Sequence, residues 1–259
     1  MIDIENLTAG YNKVEILKEL SLSLDKGMLT SIIGPNGSGK STLLKSLLGI
    51  LPKQNGEILI DGTGISSMKR GDVAKKLAYL SQEKSSPDMT VEELVLHGRF
   101  PYLKYPRGYS ENDKKVARLA ISRIGIGELS QKPISKLSGG MKQSAYIAMA
   151  LAQETDYILL DEPTAHLDVA HQIELMKILR ALADDGKGIV AVMHELPLAL
   201  SFSDSVAVLE NGKIAYFGTP DGLLKTNIIK ETFGVSVISE NGEYFYKISN
   251  SKQKETKHE

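Results

Sequence analysis

Residues 34–41 read Gly34-Pro35-Asn36-Gly37-Ser38-Gly39-Lys40-Ser41, set between an apolar run at 28–33 and a helical pattern over 41–48. A strand, a glycine-rich turn and a helix in that order make a cradle for phosphate. Glycines let backbone N–H groups converge on phosphate oxygens, and the helix N-terminus adds a positive dipole. Four residues separate Gly34 from Gly39, and Lys-Ser follows, which is the phosphate-binding loop pattern. Lys40 is expected to reach the β- and γ-phosphates of a nucleotide. The Ser41 hydroxyl is expected to ligate Mg²⁺, and Thr42 to add a phosphate contact. A glycine-rich turn can also do no more than cap a helix. The flanking strand and helix favour the phosphate reading.

A second element suits the first. Residues 157–160 are an apolar run fit for a buried parallel strand, and the run ends in Asp161-Glu162. Ligands bind at the carboxyl ends of strands in open α/β sheets. Asp161 is expected to hold Mg²⁺ through its water shell, and Glu162 to orient or deprotonate an attacking water. Taken alone, the pair could be a strand that exits into a charged loop. After a phosphate-binding loop, a metal anchor beside a water-positioning group makes chemical sense.

The rest of the chain is organised around these two. Alternation at Ile2, Ile4, Leu20, Leu22 and Leu24 suggests edge strands near the N-terminus, and 57–60 and 77–80 suggest further strands. From about 90 to 152 strand runs give way to helical periods, with an irregular Gly/Pro/Tyr stretch from 98 to 109. This reads as a helical insertion. Ile173, Met176, Leu179 and Leu182 repeat at helical spacing before an apolar run at 189–193. Runs at 205–209 and 213–217 flank Asn211-Gly212, a hairpin signal. The chain has 259 residues and a formal net charge of -1, which gives no hint of nucleic-acid binding by bulk charge. It has no cysteine, so disulfides and thiolate metal sites are excluded. The N-terminus does not read as a signal peptide, and no apolar run approaches the roughly 20 residues that span a bilayer.

Leu137-Ser138-Gly139-Gly140 resembles the signature motif of ABC-type (ATP-binding cassette) ATPases, and with the two elements above it falls in that family's order. Read without the family, Ser138 is an ordinary N-cap of a helix running to Ala152. The resemblance implies an α/β fold: a P-loop NTPase (RecA-like) core with an N-terminal antiparallel β-subdomain and an inserted α-helical subdomain, the ABC ATPase fold. It divides the chain into an ATPase domain at 1–234, with the helical subdomain at about 88–153, a small β segment at 235–249 and a disordered tail at 250–259. It implies ATP and Mg²⁺ as ligands. It assigns Ser138, Gly139 and Gly140 to the γ-phosphate of ATP held by a second copy, in a head-to-tail pair. Tyr11 resembles the aromatic that stacks on adenine. Gln82 resembles the glutamine that contacts Mg²⁺ and water and hinges the helical lobe. Residues 165–168 resemble the loop that crosses the dimer interface, and His194 the histidine that contacts the γ-phosphate. His97, His166, His171 and His258 carry no such assignment. The family usually has Gln after the paired glycines and basic residues soon after. Met141, and Gln143-Ser144 behind Lys142, depart from that and put the fine control of hydrolysis in doubt.

Within the family, the stretches 90–101, 167–172 and 193–196 look like importers of iron–siderophore complexes, haem and vitamin B12. That resemblance implies an ATP-hydrolysing subunit, peripheral on the cytoplasmic face of the membrane. Its partners would be polytopic permease subunits and, indirectly, a substrate-binding protein, with no nucleic acid. Residues 82–101 would dock the permease, through a face that includes Val91, Leu94, Phe100 and Tyr102. The alternative is a soluble ABC-type ATPase outside transport.

Overall fold

The computed structural model describes residues 1–12, 14–82, 87–106 and 108–247. In chain order, strands β1 (Ile2–Tyr11), β2 (Val14–Leu24) and β3 (Leu29–Ile33) precede helix α1 (Lys40–Leu47). Strands β4 (Lys53–Ile60) and β5 (Thr63–Gly64), helix α2 (Arg70–Val73) and strand β6 (Leu77–Leu80) follow. Then come helices α3 (Val91–Leu96), α4 (Glu111–Ile124) and α5 (Gly139–Ala152). Strand β7 (Tyr157–Asp161), helix α6 (Val169–Asp184), strand β8 (Gly188–Val192) and helix α7 (Leu196–Phe202) complete the central part. The chain continues through β9 (Ser205–Glu210), β10 (Lys213–Gly218), α8 (Pro220–Leu224), α9 (Ile228–Phe233), β11 (Ser236–Glu240) and β12 (Glu243–Lys247).

The main sheet has the order β10-β9-β3-β8-β7-β6. Its pairings are parallel except at the edge, where β10 runs antiparallel to β9 across Asn211-Gly212. Every residue of β3, β7 and β8 is buried, as both-face coverage by helices requires. Asn211 and Gly212 both have positive φ, 50° and 82°, the geometry of a two-residue hairpin turn. Asn241 and Gly242 repeat it at the tip of β11–β12, with φ 52° and 81°.

A second, antiparallel sheet has the order β2-β1-β4-β5. Here the expectation of edge strands holds for β2, which lies at the sheet's edge, and needs correcting for β1, which pairs with both β2 and β4 and is internal. Alternation shows that one face is buried; it does not show how many edges are paired. The apolar face of this sheet (Ile2, Ile4, Leu20, Leu24, Ile58, Ile60) closes over α1 and the main sheet as one cluster.

Between β6 and β7 the described chain holds helices only. Thr90 and Ser110 each start a helix through a reciprocal cap with the acid three residues on, Glu93 and Asp113. Val91 and Leu94 are buried in the larger core cluster, so they face inward and not toward a partner. Phe100 is 52% exposed. Part of the proposed docking stretch, 83–86, lies outside the described residues, as do 248–249 of the small β segment and the expected tail at 250–259.

Arg99 ties this region together. It is 4% exposed, donates to Asp113 (3.0 Å), to the Ala152 carbonyl (2.8 Å) and to Glu154 (2.6 Å), and stacks over the Tyr102 ring at 4.1 Å. Four partners from three segments therefore meet on one guanidinium at the C-terminal end of α5. A fork of fixed donors does this where an ammonium cannot. Arg99→Met would leave the Asp113 carboxylate without its cation in a nearly dry setting. Urea unfolding should show a loss of about 3 kcal/mol, and Arg99→Lys should recover only part of it.

Candidate functional site

The glycine-rich loop joins β3 to α1. Gly34 has no room for a side chain, since a Cβ would lie 2.1 Å from the Leu209 carbonyl oxygen on β9. The Gly212 amide donates to the Ser38 carbonyl (3.2 Å), and the Lys18 amide of β2 donates to the Gly212 carbonyl (2.9 Å). The loop is thus held between the β9–β10 hairpin and β2. Helix α1 carries no acidic side chain in its first turn, and its N-cap Gly39 makes no side-chain cap. Its leading amides are left for an anion.

These amides open on a cleft of roughly 560 Å³ lined by Tyr11, Ile16, Asn36, Gly37, Gly39, Lys40, Ser41, Thr42, Gln82, Glu162 and His194. Gly34, Pro35 and Ser38 belong to the loop but do not line the cleft. Lys40 Nζ is aimed by the carbonyls of Gly34 (2.8 Å) and Pro35 (3.0 Å). Burial pushes the Lys40 ammonium below its ordinary value, and Glu162 and Asp161 oppose that. The Ser41 hydroxyl donates to Asp161 Oδ1 at 3.1 Å. Burial lifts the Asp161 carboxyl above its ordinary value; the Ser41 bond opposes this, and the neighbouring Glu162 charge adds to it. Tyr79, on β6, donates to Asp161 Oδ2 (3.4 Å) and is pushed up to about 12, first by its own burial and then by the Asp161 charge. Tyr79 belongs to no sequence motif, and the parallel β6–β7 register is what places it there.

Glu162 follows β7 with φ 50°, a left-handed conformation rare for a side chain of this kind. Strain of this sort clusters where a side chain must be aimed. Gln82 Nε2 donates to Glu162 Oε2 at 2.6 Å, and His194 Nε2 lies 2.6 Å from Glu162 Oε1. The three residues come from the carboxyl ends of β6, β7 and β8, which are neighbours in the sheet. One carboxylate is therefore held between an amide and an imidazole, beside Lys40 and the loop amides.

Ser138, Gly139 and Gly140 are not in this cleft. They form the start of α5, where the Ser138 hydroxyl accepts from the Met141 amide at 3.3 Å. Ser138 and Gly139 are exposed. Gly140 lies against His171, whose Cδ2 would be 2.5 Å from a Cβ at that position. His171 is in turn held by Asp168, with Nδ1 to Oδ1 at 2.8 Å. Sequence reasoning gave His171 no role, yet its ring covers the second of the paired glycines. Asp168 also caps α6 through the His171 amide. Met141 is exposed, whereas Gln143 is buried.

A family model described as ABC transporter matches residues 17–165, a span that runs from β2 past Glu162. The chain is 38% identical over 239 residues to the petrobactin import ATP-binding protein YclP of Bacillus subtilis (strain 168), covering 92% of this chain and 94% of that one. A putative metal-chelate type ABC transporter, solved in an inward-facing conformation, superposes with a TM-score of 0.81 at 27% identity, over 95% of each chain. The ATP-binding cassette MJ0796, solved as a dimer in a post-hydrolysis state bound to ADP and Pi, superposes with a TM-score of 0.72 at 27% identity, over 85% of this chain and 99% of that one. The loop–helix cradle, the Asp161-Glu162 strand end and these likenesses agree: the chain belongs to the ABC transporter family, as an ATP-binding, ATP-hydrolysing cassette.

Proposed function

We propose that this chain powers an importer of an iron–siderophore, haem, cobalamin or similar metal chelate, with two copies set head-to-tail beneath a polytopic permease. The observation that carries the catalytic part is Glu162 held between Gln82 and His194 beside Lys40. Support for the metal-chelate class comes from the likeness to YclP, a petrobactin import protein by name, and to the metal-chelate type transporter. No helix among the described residues is long and apolar enough to cross a membrane. Work at the cytoplasmic face would therefore be peripheral and through partners, with a substrate-binding protein one step further out.

In this reading ATP lies in the cleft with adenine against Tyr11 and its phosphates on the amides of 36–42. Lys40 neutralises charge between the β- and γ-phosphates. Glu162 takes the proton of the attacking water, and His194 and Gln82 keep its two oxygens aimed. The Ser41 hydroxyl and Asp161 carboxylate are hard oxygen donors 3.1 Å apart, a pairing that suits Mg²⁺. Among the described residues no group of three or more His, Cys, Asp or Glu could hold a metal. Mg²⁺ would thus complete its shell with phosphate and water, and would supply charge neutralisation. Ser138, Gly139 and Gly140 sit outside the cleft, which leaves them to close over the γ-phosphate of the second copy.

For the permease, the better face is now a groove of roughly 400 Å³ lined by Ile50, Arg70, Val73, Leu77, Tyr79 and others, with Ile50 64% exposed. Val91 and Leu94 are buried and do not contribute to it.

Glu162→Gln should keep ATP affinity within a few-fold, lower turnover by about 10²–10⁴ and accumulate an ATP-bound dimer on gel filtration. Turnover at the unmutated rate would remove Glu162 from the role of base. His194→Ala should lose about 10²-fold in turnover with nucleotide binding unchanged, read by phosphate release beside a fluorescent-nucleotide titration. Co-purification of the tagged chain with a polytopic membrane protein, lost in Ile50→Glu, is expected of the transporter. Recovery of the chain free of membranes in its native host would favour the soluble ATPase.

A further inference from the structure

His194 stands in a three-residue connector between β8 and α7. Its leading flank is pinned, because the Met193 amide donates to the Ile32 carbonyl at 3.0 Å. Its trailing flank enters α7, whose leading amides lack intrahelical acceptors. Glu195 occupies the N-cap position but makes no side-chain cap there. Its carboxylate instead accepts from the Thr164 hydroxyl at 3.1 Å. Pro197, next in the first turn, has no amide proton to place. The Leu196 amide is the first in α7 that needs an acceptor, and Leu196 is 2% exposed. The acceptor comes from far along the chain: Tyr246 Oη, on β12, at 3.3 Å.

The hairpin that brings Tyr246 is a firm support. Strands β11 and β12 pair in register from Ser236↔Lys247 to Glu240↔Glu243. Val237 and Tyr244 pack on the main core, and the Tyr244 hydroxyl donates to Asp221 Oδ1 of α8 at 2.7 Å. The hairpin thus spans from α8 to the start of α7. Residues 194 and 196 are two apart, so a shift at the Leu196 amide is passed almost directly to the His194 ring, which meets Glu162 at 2.6 Å.

We propose that Tyr246 is a positioning residue for hydrolysis: its hydroxyl fixes the first turn of α7 and thereby sets the reach of His194 toward Glu162. The inference rests on the reading of His194 given above. Small misplacements are costly where reacting groups must align, so a modest loss of one anchor should be visible in turnover and not in binding.

The test uses the purified full chain and compares Tyr246→Phe, Tyr244→Phe and His194→Ala. Tyr246→Phe keeps the half-exposed ring and deletes only the hydroxyl. It should lower kcat roughly three- to tenfold while the KM and Kd for ATP stay within twofold. Tyr244→Phe removes the hairpin's other hydroxyl anchor and should leave kcat within twofold. The imidazole ¹H–¹⁵N signal of His194, assigned by its loss in His194→Ala, should move in Tyr246→Phe and stay in place in Tyr244→Phe. Wild-type kcat in Tyr246→Phe, an equal loss in both tyrosine variants, or an unmoved His194 signal would each overturn the proposal. If His194→Ala keeps wild-type turnover, the reading of His194 falls and this inference with it. If His194→Ala loses turnover and Tyr246→Phe does not, only the positioning role falls.

Discussion

A loop that binds phosphate through backbone amides must have those amides fixed before the ligand arrives. Here the fixing is done from outside the loop. The Leu209 carbonyl fills the space a side chain at Gly34 would need, and the Gly212 amide holds the Ser38 carbonyl. Behind them, β2 holds Gly212 in turn. An antiparallel edge hairpin and a strand of the second sheet thus support a loop that belongs to neither. Lys40 is aimed by two carbonyls of the same loop, so its charge is directed by the frame that presents the amides. Preorganisation of this kind is what makes electrostatic stabilisation effective, because little reorganisation remains at the moment of reaction.

The second constraint is the parallel order of β6, β7 and β8. Adjacent strand ends deliver Gln82, Glu162 and His194 side by side, although Gln82 and Glu162 are 80 residues apart in the chain and Glu162 and His194 are 32 apart. No loop has to travel. The strained backbone at Glu162 then turns its carboxylate between the other two, and the buried Asp161 is left to Ser41 and Tyr79. Two consecutive acids are thereby sorted into different surroundings by one turn of backbone.

Much of this was legible. Residues 34–41 and 157–162 carry local spacing that has one good physical use, and the buried strands β7 and β8 announced themselves as unbroken apolar runs at 157–160 and 189–193. Other features were not legible, for definite reasons. Alternation in residues 2–11 marks a half-buried strand, but it cannot say that β1 is paired on both sides. Helical periodicity gave Val91 and Leu94 an apolar face without saying whether core or partner covers it; the core does. Tyr79 on Asp161, His171 on Gly140 and Tyr246 on Leu196 are contacts between segments whose adjacency only the folded sheet and helices create. Short-range patterns carry no trace of them.

Helix α5 has Ser138 at its leading end and, at its trailing end, the Ala152 carbonyl bound by Arg99. Its 14 residues span about 21 Å. A rod pinned at its base turns rotation there into translation at its tip, and a tilt of about five degrees moves the tip by about 2 Å. That is most of the difference between a hydrogen bond and no contact. The Arg99 guanidinium thus holds one end of a helix whose other end carries the Ser138 hydroxyl. Stiffness in that cluster, together with the packing of α5 on the core, sets how finely the far end of the helix can be placed.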